Sequence, residues 1–372
     1  MRKSIIILNY GLHIAGVSRA LINLANFLVA NNYDVTIKLA SNNFTLAEEL
    51  DKRVKVSVFL DGFGGCKLPE KVYGKLMQLI ELLPTKMQYR IIVRHHYDIE
   101  IAFNRGAAVK LISASTNKRS KKFAWIHTDY MKNGNALAGF KDEADAFQGY
   151  SRFDNVLCVS EYVKKSFIQR IGDTGNLITR FNVIDDSRIR LLAEQPTIQK
   201  DKFTIIAVGR ICEAKNYTLL LDVAQDLDHR GLDCDFWIVG DGELHDQLVD
   251  YSRKHQINNV HFLGMKSNPY PYIQAADLYL STSIYEGLST TTIEALILGK
   301  AVVVTDCAGM QEIVGANDEY GCLVSFNKTD IADTIEKLIL HPTIRTEYER
   351  QAIERSKKFI GDNCFKEIES LF

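Results

Sequence analysis

The chain has 372 residues, 46% of them hydrophobic, with 45 basic against 46 acidic side chains and a formal net charge of −1. That length suffices for two domains of ordinary size, and the apolar, mixed-charge composition excludes a disordered chain. The balanced charge offers no global basic field, so nucleic acid is not expected as a partner.

Read from its start, MRKSIIILNY is too brief an apolar run for a signal peptide, broken by Asn9, Tyr10 and His13. Residues 4–9 read instead as a first strand, followed by the loop YGLHIAGVS and a helix over 17–30. Strands follow at 34–39 and 54–59, the opening of a doubly wound α/β domain. The loop carries only Gly11 and Gly16 and lacks G-x-G-x-x-G, so a dinucleotide fingerprint is not supported. Residues 67–94 read as helical with a break at Pro84. There Leu68, Val72, Leu76, Leu79, Leu83, Met87 and Ile91 recur at three- and four-residue steps. Lys67, Lys71, Lys75, Lys86, Arg90 and Arg94 outnumber Glu70 and Glu81. Two readings stay open: a helix packed on its own sheet with a solvated face, or a basic amphipathic stretch on an anionic membrane.

A strand at 99–103 precedes the basic run Lys118, Arg119, Lys121 and Lys122, which leads into FAWIHTDY. His127 and Asp129 fall at the end of that strand, the ligand edge of a parallel sheet. A strand–helix pair at 155–171 follows, then FNVID at 181–185, and a polar stretch with Pro196 that fits a linker at 193–202. The second half opens with a strand at 203–208, GRICEAKN and a helix over 217–228. Strands at 235–239, 260–263 and 320–324 and helices from 328 onward complete the pattern. The seven cysteines (66, 158, 212, 234, 307, 322, 364) show no C-x-x-C and no metal spacing, as expected of buried thiols in a reducing compartment. No stretch approaches the length of a membrane span.

Residues 276–315, ADLYLSTSIYEGLSTTTIEALILGKAVVVTDCAGMQEIVG, organise the chain. They read as a strand (278–281), a polar loop with Glu286 and Gly287, a helix from Thr290 and an all-apolar strand (301–305). Leu288, Ser289 and Thr290 begin that helix, where free N–H groups and the helix dipole attract phosphate. Glu294 lies about four to five residues inside, roughly 6–8 Å along the axis, the span from a diphosphate to a ribose. Its carboxylate suits the ribose diol, and Glu286, ahead of the helix, suits the sugar beyond the phosphates.

Glu286 and Glu294 in this setting form the E-x7-E pattern, and the chain resembles the retaining GT-B glycosyltransferases of the large family 4 group. The run NPYPYIQAADLYLSTSIYEG is similar to the capsule, lipopolysaccharide and teichoic-acid members. The resemblance implies two Rossmann-like, doubly wound parallel-sheet domains facing across a cleft. Residues 1–195 would form the acceptor domain and 196–355 the nucleotide-sugar domain, with 356–372 a final helix crossing back near Phe359 and Phe365. It implies that Arg210 and Lys215 hold the donor diphosphate, where two fixed cations offset the charge of the leaving group. Gly16, followed by Arg19, resembles the glycine turn near the donor phosphates, although the usual Gly-Gly appears as Ala15-Gly16. W-I-H-T-D resembles the motif whose histidine contacts the donor sugar, which assigns His127 to that role. FNVID resembles the N-x-x-D turn closing the first domain, with Val183 in place of proline. Met265 and Lys266 are candidates beside the base. Asp233-Cys234-Asp235 spells D-x-D, the metal motif of a different glycosyltransferase fold, but it lies at a strand entry, opposite the ligand edge, and is set aside.

The expectation is therefore hexosyl transfer, with retention and without a metal or resident cofactor, from a nucleotide-diphosphate sugar (a UDP-sugar first) to a hydroxyl of a glycan or lipid-linked acceptor of the bacterial envelope. Glu286, His127, Arg210 and Lys215 would serve the chemistry. Gly16, Arg210, Lys215, Met265, Leu288, Ser289, Thr290 and Glu294 would bind the donor. The chain is expected in the cytoplasm, with peripheral contact on an anionic membrane tied to the basic helical stretch. Two other classes stay open, a non-catalytic partner subunit of the same fold and a nucleotide-sugar epimerase.

Overall fold

A computed structural model describes residues 2–60, 70–132 and 134–372. The chain divides into two compact units: Met1–Val183 with Cys364–Phe372, and Ile184–Asn363. Lys67, Leu68 and Cys66 lie outside the described residues.

The first unit is built on β1 (Ser4–Asn9), β2 (Asp34–Leu39), β3 (Lys55–Val58), β4 (Ile99–Ala102), β5 (Lys121–Ile126), β6 (Asn155–Cys158) and β7 (Leu177–Thr179). All pair in parallel, in the order β3-β2-β1-β4-β5-β6-β7. Ile5, Ile6, Ile7 and Leu8 are all fully buried, because helices cover both faces of a parallel sheet and the strand needs no polar alternation. Pro84 ends one helix and starts the next, giving Glu70–Glu81 and Thr85–Val93. The basic run that leads into and opens β5 is partly spent on the fold: Lys122 Nζ donates to the carbonyls of Asn117 (2.8 Å) and Ser120 (3.0 Å). Lys121 Nζ donates to those of Leu371 (2.9 Å) and Phe372 (3.0 Å).

The chain's last residues complete this unit. Phe365 packs on Phe27 (ring centroids 5.6 Å apart), and Phe372 packs on Phe123 (5.3 Å). Phe359, fully buried, stays with the second unit.

The second unit contains β8 (Phe203–Val208), β9 (Cys234–Val239), β10 (Val260–Gly264), β11 (Leu278–Ser281), β12 (Ala301–Thr305) and β13 (Cys322–Val324). They form a parallel sheet ordered β10-β9-β8-β11-β12-β13. Its core joins Ile205, Phe236, Ile238, Leu280 and Val303 to Leu221 and Ile335 of the covering helices. The unit begins earlier than the polar stretch at 193–202. The reason is a helix at Asp186–Ala193, which buries Ile189 and Ala193 and whose Leu192 carbonyl accepts from Asn268 Nδ2 at 2.8 Å.

Strand order reverses beside β1 in the first sheet and beside β8 in the second. Such a reversal parts the loops that leave two neighbouring strands, so ligands of open α/β sheets bind there. In the second unit the loops concerned follow β8 and β11. Among the described residues no helix is long and apolar enough to cross a membrane.

Candidate functional site

The loop after β8 runs Gly209 to Asn216 beside the glycine turn after β9. Gly209 N bonds Val239 O (3.0 Å), and Ile211 N bonds Asp241 O (2.9 Å). A Cβ on Gly240 would stand 1.9 Å from Gly209 O, and one on Gly242 would stand 2.2 Å from Ile211 O, so only glycine permits this approach. Asn216 takes the left-handed conformation (φ 50°, ψ 48°) that asparagine tolerates, and the helix Tyr217–His229 starts from it.

The β8 loop is stitched to the loop after β11. Thr282 Oγ1 donates to Lys215 O (2.9 Å) and Asn216 O (3.1 Å), and Ile284 N donates to Ala214 O (2.8 Å). Lys215 and Glu286 meet as a result, Nζ bonded to Oε1, with the side chains only 19% and 16% exposed. Ser283 Oγ donates to the same carboxylate oxygen at 3.1 Å. Burial pulls the Lys215 ammonium down, but Glu286 beside it and the nearby Tyr279 and Tyr217 hydroxyls outweigh this and hold it above its ordinary value. The neighbouring Cys307 thiol is pushed up to about 12 by burial and by Glu286. The Lys215 stem passes over Gly209, where an added Cβ would stand 3.0 Å from Lys215 Cε.

Below the pair, the helix Thr290–Ile297 starts from Ser289, whose Oγ accepts from Thr292 Oγ1 (2.9 Å) and caps Thr292 N (3.4 Å). Its first backbone bond is Ile293 N to Ser289 O (3.2 Å), which leaves the Thr290 and Thr291 amides ahead of the helical ladder. Leu288 and Ser289 are buried, so their side chains serve the core and the cap. Glu294, 6% exposed, accepts from Tyr270 OH at 3.3 Å. Gly309, at φ +86°, brings the loop after β12 against this turn, where a Cβ would stand 3.0 Å from Gly287 O and 3.1 Å from Glu286 O.

The other expected residues of this unit stand differently. Arg210 is largely exposed and pairs with Glu243 of the GDGE turn (Nη2 3.0 Å, Nε 3.1 Å) rather than with Glu286. Met265 is half exposed after Gly264, and Lys266 lies over the Tyr272 ring at 5.4 Å. The D-x-D carboxylates sit at the entry of β9, Asp233 paired with Lys202 (2.8 Å) and Asp235 with His261 (3.4 Å). Ser283, Thr282 and Gly309 were not singled out in the sequence. The S-T-S run closing an apolar strand was the available signal for the first two.

His127 and Gly16 belong to the first unit. His127 follows β5, its Nε2 bonded to Phe103 O at 3.0 Å and its ring 4.8 Å from that of Phe103. Burial lowers its pKa to about 3, so the ring is neutral: Nε2–H donates, and Nδ1 has no partner among the described residues. Asp129 is occupied in the fold, accepting from Met131 N (2.7 Å) and Tyr162 OH (2.7 Å). Gly16 opens the helix Gly16–Ala30, while the tight glycine of that loop is Gly11, where a Cβ would stand 2.5 Å from Ser41 Oγ.

The paired α/β units give the chain the GT-B fold, shared over its whole length with solved glycosyltransferases. Anabaena HepE, solved with UDP and glucose, aligns over 99% of both chains with a TM-score of 0.75 at 20% identity. Residues 189–359 match the family described as glycosyl transferases, group 1. A glycosyltransferase of Methanocaldococcus jannaschii is 24% identical over 256 residues, 66% of this chain and 63% of the relative. The N-acetylgalactosamine-N,N'-diacetylbacillosaminyl-diphospho-undecaprenol 4-alpha-N-acetylgalactosaminyltransferase of Campylobacter jejuni is 32% identical over 182 residues, 48% of each chain. The chain thus spans 63% of the length of the first of these relatives and 48% of the second.

Proposed function

We propose that the protein is a retaining, metal-independent glycosyltransferase that moves a hexosyl group from a nucleotide-diphosphate sugar to a hydroxyl of a glycan or lipid-linked acceptor. The observation that carries the reading is the Lys215–Glu286 pair at the strand-order reversal of the second unit, at the head of the Thr290–Ile297 helix. A cation and a carboxylate in contact, with helix-start amides a few residues after the carboxylate, match a donor with two phosphates followed by a hydroxylated sugar. Lys215 and the Thr290 and Thr291 amides would hold the diphosphate, with Arg210 turning in from Glu243. Glu286 would accept from the sugar hydroxyls and Glu294 from the ribose, with Met265 beside the base.

In the reaction the bond from the anomeric carbon to the phosphate oxygen breaks as the acceptor oxygen bonds that carbon from the same face. The acceptor proton passes to a phosphate oxygen of the leaving diphosphate. Lys215 and the helix amides offset the charge that accumulates there. His127, neutral across the physiological range, would act through a hydrogen bond and not as a charge.

A UDP-sugar is the first donor to try, because HepE was solved with UDP and glucose. A polyprenyl-diphosphate-linked glycan is the first acceptor, because the Campylobacter relative's name specifies one. The test is a panel of nucleotide sugars read by thermal shift and nucleoside-diphosphate release, with and without EDTA. Stabilisation by one donor with slow, EDTA-insensitive release supports the proposal. Conversion of donor into an isomeric donor without acceptor would make the protein an epimerase, and full loss with EDTA restored by manganese would overturn the metal-free mechanism.

A further inference from the structure

The strand order of the first sheet reverses between β1 and β4, so the loops leaving these two strands part as those after β8 and β11 do in the second unit. The loop after β1 is held by the loop after β2: Ser41 N donates to Tyr10 O (2.8 Å) and Leu12 N to Asn43 O (2.9 Å). It turns Tyr10 outward, 61% exposed, with the His13 ring stacked on it at 5.8 Å, and Ile14 follows at 36% exposed.

The loop after β4 carries Arg105, whose backbone N–H donates to Asn104 Oδ1 at 2.9 Å. Gly106 (φ +82°) comes next, and Gly139 lies so close to it that a Cβ there would stand 2.9 Å from Gly106 C, which fixes the turn. Burial lowers the His127 pKa and raises those of the Tyr130 and Tyr150 hydroxyls. The Arg105 charge adds to the first shift and opposes the other two, which places the guanidinium near all three, each of them neutral. Arg105 is partly exposed, and its side chain makes no hydrogen bond or ion pair among the described residues. Asp129, in the loop after β5, is 1% exposed and already engaged by Met131 N (2.7 Å) and Tyr162 OH (2.7 Å). A cation set among neutral groups has lost hydration without gaining a counter-ion, a cost that an anionic ligand removes. Lys215 of the second unit has its counter-ion in Glu286; Arg105 has none of its own.

We infer that the strand-order reversal of the first unit binds an anionic sugar of the acceptor. Arg105 takes the sugar's phosphate or carboxylate through paired hydrogen bonds, and the Tyr10–His13 stack covers a face of its ring. Phosphate and carboxylate offer a guanidinium the same partner, two oxygens sharing negative charge. That this sugar is the acceptor's rests on the glycosyl-transfer reading, whereas binding itself needs neither donor nor reaction.

The experiment is an NMR titration of the full chain, isotope-labelled in its histidine rings. The probes are glucose 6-phosphate, methyl glucuronide, methyl glucoside and inorganic phosphate. The His13 and His127 ring signals, assigned with His13→Gln and His127→Gln, report on the site. At least one charged sugar should shift them with an affinity about tenfold or more above that of the neutral glucoside. Preference for the phosphate or for the glucuronide then tells which anion the acceptor carries. Arg105→Gln should abolish the advantage of the charged sugar, and Arg105→Lys should keep part of it, as charge without the paired geometry. Tyr10→Ala should weaken the charged sugar about threefold and leave its advantage over the glucoside in place. Melting temperatures near that of the wild type show that these variants are folded. The double variant Lys215→Met, Glu286→Leu should bind the charged sugar as the wild type does. Loss of binding there would put the anion in the second unit and overturn the inference without touching the proposed transfer. A donor panel without response would overturn the transfer without touching this binding. No shift with any probe, equal affinity for charged and neutral sugars, or an undiminished advantage in Arg105→Gln would also overturn the inference. So would inorganic phosphate binding as tightly as glucose 6-phosphate, which would mean a bare anion site.

Discussion

The two sheets of this protein follow the same strand order, the first with one strand more, but present different chemistry at their carboxyl edges. In the second, a lysine from the loop after β8 and a glutamate from the loop after β11 meet in a mostly buried ion pair, close to a serine-capped helix start. In the first, the edge beyond β5 carries a neutral histidine bound to a backbone carbonyl, with an aromatic ring beside it. The first helix there starts from Ala15, which offers no side-chain cap. A buried ion pair is costly to desolvate and contributes little net stability, so its place at the strand-order reversal points to a ligand that exchanges partners with it. In the proposed function an anionic donor phosphate would take Lys215 and release Glu286 for hydroxyl groups. The comparison teaches that the sheet sets where a ligand sits, while the charges in two loops set which kind.

That contrast can be broken or sharpened by substitution. The largest expected effect is at the glycine crossing that builds the second site. Gly240→Ala would set a Cβ 1.9 Å from Gly209 O and should cost at least about 3 kcal/mol. Gly11→Ala in the first unit meets a serine hydroxyl and the far end of a histidine side chain, and should cost about 1 kcal/mol. Urea unfolding of the two variants measures the gap, and equal losses would contradict the backbone-crossing argument.

Next come the single members of the ion pair. Lys215→Met or Glu286→Leu alone leaves an uncompensated buried charge and should destabilise by about 3 kcal/mol. The double variant should regain most of that stability and none of the turnover. A double variant no more stable than the singles would show that the pair is not a coupled buried unit.

The histidine of the first unit gives a smaller, pH-dependent effect. Its folded pKa, about 3, lies below the ordinary value, so the folded state favours the neutral ring. The contribution is fully present above about pH 6.5 and falls as pH drops towards 3, by about 2 kcal/mol between pH 6.5 and 5. Unfolding of wild type and His127→Gln across that window should show this slope only in the wild type. Parallel curves would mean that His127 is not held neutral. The smallest effect is expected at Arg210. Its exposed pair with Glu243 should contribute less than about 1 kcal/mol, so Arg210→Ala should melt like the wild type while binding nucleoside diphosphate more weakly.

Much of this arrangement could be read from the sequence, for identifiable reasons. Strands such as Ile5–Ile6–Ile7 and Val302–Val303–Val304 are covered on both faces, so they stand out as continuous apolar runs. The loop carrying Glu286 could be read because a strand, a serine cap and a helix follow one another without a gap. The meeting of Glu286 with Lys215 could not, since the two are 71 residues apart and are joined only by the placing of β8 beside β11. Ser283 and Gly309 were missed for the same reason, as each matters only through a neighbour brought by the sheet. The helix Asp186–Ala193 was hidden by its polarity. The role expected of Arg210 rests on the resemblance, and its pairing with Glu243, 33 residues away, arises only because β9 lies beside β8.

The central claim is that the Lys215 side of this pair serves the diphosphate and the Glu286 side serves the sugar. The direct measurement is a calorimetric titration of Glu286→Gln with the nucleoside diphosphate of the selected donor, set beside its turnover number. The account predicts diphosphate affinity at or above that of the wild type, because Lys215 is released, with turnover reduced by roughly 1000-fold. Loss of diphosphate affinity and turnover in equal measure, or turnover unchanged, would contradict it.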